Sequence, residues 1–113
     1  MNNINLLAVK PFQETLHGGY CGPASLKMVL EYWGINKSEE DVAVASNRDP
    51  DLGTDDMSLK KAAESYGLKV EIENNASFGS IQKWLARRVP VIVNWFTRGR
   101  SDYSDQEVPD GHY

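Results

Sequence analysis

Residues 18–34 read GGYCGPASLKMVLEYWG, and the setting of the one cysteine in this stretch decides how the rest of the chain is read. Gly22 and Pro23 suit the first turn of a helix, because proline has no N–H to lose there and its φ is already helical. Leu26, Val29, Leu30 and Trp33 recur at i, i+3, i+4 and i+7, giving one apolar stripe, and Gly34 is a natural stop. Cys21 therefore stands at the mouth of an amphipathic helix. Unbonded N–H groups and aligned peptide dipoles favour negative charge there, the condition under which a thiol becomes a nucleophile. A lone cysteine is more often a small buried hydrophobe. Gly18, Gly19 and Gly22 argue otherwise, since they clear side-chain bulk from around the sulfur and let another backbone approach it.

Nucleophilic catalysis needs two further parts. A base must take the thiol proton and later return it, usually a histidine. Donors must also face the developing oxyanion, such as the cysteine's own N–H and a side-chain amide. Gln13, eight residues upstream, carries such an amide, and His112 lies at the far end of the chain. His17 competes for the role of base, but sharing a loop with Cys21 it would need a tight turn to face the thiol. Gly19, Tyr20 and Gly22 are the candidate substrate-binding residues, where an extended peptide would cross the helix mouth. Tyr20 has the alternative of packing beneath it.

The remaining pattern is α+β. Ser38 and Asp41 resemble a capping box for a short second helix to about Ala45. A third helix is expected after Thr54 or Asp56, burying Leu59, Ala62, Ala63 and Tyr66 and ending at Gly67. Leu68, Val70 and Ile72 alternate with Lys69, Glu71 and Glu73, the period of a half-buried strand. A fourth helix over 78–87 presents Ile81, Trp84 and Leu85. PVIVNWF, residues 90–96, is apolar on both faces and reads as a central strand opened by proline. A polar loop runs from there to Pro109. Trp33, Trp84 and Trp95 are expected in the core. His112 and Tyr113 read as the start of a further strand, so the 113 residues form a single domain expected to lack its last strands. Association through that unfinished sheet edge is a corresponding expectation.

Bulk composition narrows the function classes. An apolar fraction of 41% with 25% charged residues is that of a globular domain. A net charge of -4 argues against nucleic acid, which requires a concentrated basic face. Arg87, Arg88, Arg98 and Arg100 are followed at once by acidic residues and read as solvated surface. One cysteine cannot form an internal disulfide. With no basic leader and no run of about 18 apolar residues, the expectation is a cytoplasmic protein without a membrane span. Cys21, His17 and His112 lack metal-ligand spacing. Asn47, Asp49 and Asp51 match the first ligands of a calcium loop, but Leu52 takes the glycine position and Ser58 the glutamate position. That stretch reads as a turn and helix cap; no metal and no cofactor are expected.

FQETLHGGYCGPASLKMVLEYWG resembles the nucleophile segment of papain-like cysteine peptidases of the double-glycine leader, bacteriocin-processing type and their stand-alone relatives. LGTDDMSLKKAAESYGLKV, IQKWLARRVPVIVNWF and the terminal GHY follow in the order that family shows, so the likeness covers nearly the whole chain. The resemblance implies a papain-like fold, with N-terminal helices packed on a C-terminal antiparallel sheet. It implies hydrolysis of peptide bonds, with Cys21 as nucleophile, His112 as general base and Gln13 in the oxyanion hole; leader-processing members cut after two small residues. The partner implied is a peptide or protein substrate. The family orients its histidine with an Asp or Asn on a later strand, a position that Asp102, Asp105 and Asp110 do not match. Two alternatives stand beside hydrolysis: a peptidase-like module that grips peptide without cutting it, and acyl transfer by the same nucleophile.

Overall fold

The computed structural model describes residues 6–13, 15–16, 20–47, 54–98 and 109–113, with residues 95–98 and 109–112 described by their backbone alone. Four helices and a two-stranded ribbon follow in chain order: α1 Cys21–Tyr32, α2 Glu39–Ala45, α3 Asp56–Ser65, α4 Phe78–Ala86, β1 Trp95–Arg98 and β2 Pro109–His112.

The stripe on α1 does what its spacing dictates. Leu26 and Leu30 are buried and meet Val42 of α2 and Leu59, Ala62 and Ala63 of α3. The two alanines let α3 approach α1 closely. Burying a leucine of this kind removes enough apolar surface from water to contribute roughly 2 kcal/mol. Val29, Ile35, Tyr66, Leu68, Val70, Ile92 and Tyr113 pack around that cluster. Trp33 departs from expectation: it is the C-cap residue of α1 and 48% exposed, its ring edge-on to Tyr32 at 5.0 Å. The helix ends one residue before the stripe does, so the fourth member of the stripe turns outward. Trp84 is half-buried, while the side chain of Trp95 lies outside the described residues.

Helix starts follow their caps. Ser38 accepts from the Asp41 N–H at 3.0 Å, and Asp55 accepts from the Ser58 N–H at 2.7 Å. Ser77 and Ser80 form a reciprocal capping box on α4. Gly34 and Gly67 take positive φ, 83° and 94°, just past α1 and α3, where a side chain would be strained.

The strands differ from expectation. Residues 68–73 form no strand: Leu68 and Val70 lean on the core and Lys69 between them faces solvent, but among the described residues no neighbour supplies a ladder. Alternation reports which face is buried; a strand also needs backbone partners. Residues 90–94 are likewise unladdered, and only the end of the expected 90–96 strand enters β1. The ribbon is antiparallel, pairing Trp95 with His112, Phe96 with Gly111, Thr97 with Asp110 and Arg98 with Pro109. Pro109–His112 thus begins a strand earlier than the polar-loop reading placed it. Residues 99–108 lie outside the described set, as do 48–53 with most of the acidic turn.

Candidate active site

Cys21 is the first residue of α1, a free thiol that is partly exposed. In any α-helix the first-turn N–H groups lack intrahelical acceptors. Pro23 contributes none, so the mouth of α1 presents the N–H groups of Cys21 and Gly22. Among the described residues no side chain caps this end, and no acidic residue occupies its first turn. The positive pole of the helix is therefore left to act on whatever approaches Cys21. Tyr20, the N-cap residue, is buried.

Gly22 is buried too, for a steric reason. A Cβ at this position would stand 3.3 Å from Thr54 Cβ and 3.3 Å from Tyr113 Cδ2. The last residue of the chain thus lies on the first turn of the helix. The Tyr113 hydroxyl is held against ionisation, chiefly by burial, and Cys21 is among the groups that disfavour a negative charge there. Burial is the larger influence pushing that hydroxyl above its ordinary range, followed by the hydrogen bond and charge of Asp56, then Cys21 and Asp55. Tyr113 Oη donates to Asp56 Oδ1 at 2.5 Å, and Asn94 Nδ2 donates to the same oxygen at 3.2 Å. From sequence Asp56 reads only as a helix-start residue; its link to Tyr113 spans 57 positions. Thr54 Oγ1, buried beside Gly22, has no hydrogen-bond partner among the described residues.

His112 occupies the last position of β2, one residue before Tyr113, and its side chain lies outside the described residues. His17 and Gly19 also lie outside them. Gln13 is exposed, on a segment moored at both sides. Before it, the Phe12 ring receives Lys27 Nζ of α1 at 5.0 Å from its centroid. After it, Thr15 Oγ1 donates to Glu39 Oε1 at 2.8 Å and the Thr15 N–H reaches both carboxylate oxygens at 3.3 Å. Glu39, buried at the start of α2, fastens that segment to the helical layer.

Among the described residues no three of His, Cys, Asp and Glu gather as a metal would require, and no helix is long and apolar enough to cross a membrane. Arg87 and Arg88 are exposed, the Arg87 guanidinium 4.9 Å from the Trp84 ring centroid.

Comparison with curated proteins and with solved structures returns no match. The sequence model of the Peptidase_C39 like family, by contrast, spans residues 6–113. That span holds α1 with its cysteine, the moored segment before it and the ribbon that ends against it. The chain belongs to the Peptidase_C39 like family, and that membership implies a papain-like fold and a cysteine peptidase.

Proposed function

We propose that the chain hydrolyses peptide bonds through Cys21, with His112 as general base and Gln13 as oxyanion donor. The observation that carries this reading is the seat of Tyr113 on Gly22. His112 is the residue before Tyr113, and consecutive Cα atoms are about 3.8 Å apart, so the ring contact supports a strand that carries the histidine toward the helix whose first residue is the thiol. That contact supports bringing together two residues 91 positions apart in sequence.

The imidazole of His112 takes the thiol proton, and Sγ attacks the carbonyl carbon of the scissile bond. The oxygen of the tetrahedral adduct takes the negative charge and is held by the Cys21 N–H and the Gln13 amide. Collapse expels the amine, protonated by His112, and leaves an acyl thioester. Water, deprotonated by His112, then attacks the thioester and restores the thiol. Gly19, Tyr20 and Gly22 border the path of an extended substrate, Tyr20 and Gly22 as its floor. Small residues before the scissile bond fit the resemblance to leader-processing peptidases.

A panel of fluorogenic peptides carrying two small residues ahead of the cleavage point tests the reading. Cleavage by the unaltered chain is expected, with loss of about three to six orders of magnitude in kcat for Cys21→Ala and for His112→Ala. Stoichiometric peptide binding with no cleavage would instead establish the non-catalytic module. Transfer of the acyl group to an added amine in place of water would establish acyl transfer.

A further inference from the structure

We infer that Asp56 is a positioning residue for the peptidase reaction, its carboxylate fastening the end of the His112 strand to the mouth of the Cys21 helix. The inference rests on the peptidase reading above and names a residue that reading does not use.

The ribbon register carries the argument. Trp95 faces His112 across the ladder, so the next rung outward places Asn94 opposite Tyr113. Both side chains of that rung donate to a single oxygen, Asp56 Oδ1, at 3.2 and 2.5 Å. One carboxylate thereby holds both strands of the ribbon at the rung beside the histidine. Asp56 is itself fixed, as the first residue of α3, behind the Asp55 cap, and α3 packs against α1. The Tyr113 ring lies between the clamp and Gly22, so the path from carboxylate to helix mouth is one side chain long. A two-stranded ribbon is marginally stable alone. Ile92 and Tyr113 also pack against the core, but apolar packing is non-directional, and the clamp adds the directional contact that fixes the ribbon's distance from the sulfur. Charge-assisted hydrogen bonds to a carboxylate are the stronger kind, and misplacing a catalytic group by about 1 Å can cost about a hundredfold in rate.

Thiol alkylation by iodoacetamide tests this without a known substrate. At pH 6 the rate reports how far a neighbouring imidazolium maintains the thiolate; near pH 9.5 any accessible thiol is largely ionised. Asp56→Ala is expected to slow alkylation about tenfold at pH 6 and less than about twofold at pH 9.5, and Asp56→Asn, which keeps an accepting oxygen, is expected to retain the fast rate. Simple charge repulsion predicts the opposite sign, because deleting a nearby carboxylate favours the thiolate. An unchanged or faster rate at pH 6 in an Asp56→Ala chain with intact helical circular dichroism overturns the proposal. Should that variant lose its helices, Tyr113→Phe decides: a slowed rate at pH 6 supports the clamp, and an unaltered one overturns it. His112→Ala separates the two readings. If it alkylates like the unaltered chain at pH 6, there is no Cys–His pair and the peptidase reading itself falls, taking the positioning role with it. If it is slowed while Asp56→Ala is not, only the positioning role falls.

Discussion

At the mouth of α1 two side chains meet a glycine. Gly22 carries no Cβ, and the space one would take is bounded by Thr54 and Tyr113 at 3.3 Å each. The hydroxyl of Thr54 pays a penalty for this closeness: it is buried without a partner among the described residues. Stranding a buried donor costs about 1–3 kcal/mol, whereas an apolar group of the same shape costs nothing of the kind. Thr54→Val keeps the branched shape that fills the gap beside Gly22. It is expected to raise the unfolding free energy by about 1 kcal/mol, read as a higher midpoint in urea with an unchanged slope. Of the residues argued to matter here, Cys21, Gln13 and His112 are legible in sequence because each has the right functional group. Asp56, Asn94 and Thr54 are not, because their significance lies entirely in what stands opposite them.

Single elements obey local rules. Each of α2, α3 and α4 begins at a serine or aspartate that accepts an otherwise unpartnered N–H. In α3 the hydrogen bond from the Ser58 backbone, then that from its side chain, holds the Asp55 carboxyl below the ordinary value of 3.8. A carboxyl depressed by folding contributes stability that is fully present above its unfolded value and lost as pH falls through its folded one. Helicity of α3 is therefore expected to weaken as pH falls below about 3.8. Asp55→Ala is expected to lose that acid response and about 1 kcal/mol of stability at pH 7, both measurable by circular dichroism and urea unfolding. Since α3 carries Asp56, the same acid step loosens the clamp on the ribbon. The helices were legible for this reason: periodicity, cap and glycine stop all act within a few residues. The strand expected over 68–73 was not, because its alternation recorded one buried face and could not supply the second strand.

For the molecule as a whole, the helical layer is the support on which the chemistry is assembled. Leu30, fully buried at the meeting of α1, α2 and α3, is the strongest single test of it. Leu30→Ala is expected to cost about 2–5 kcal/mol, seen as a lowered denaturant midpoint. Because the displaced helix carries Cys21, selective alkylation at pH 6 should decline along with stability. Family membership over residues 6–113 was already visible in the order of the motifs. By itself the sequence determined the four helices, the caps of α2 and α3 and the place of Cys21 at a helix start, all set by interactions between residues a few positions apart. Only the tertiary structure decided that Tyr113 seats on Gly22, that Asn94 and Tyr113 share one oxygen of Asp56, and that the ribbon begins at Trp95. Those contacts join segments separated by tens of residues, and no local preference encodes which pairs of distant side chains will meet.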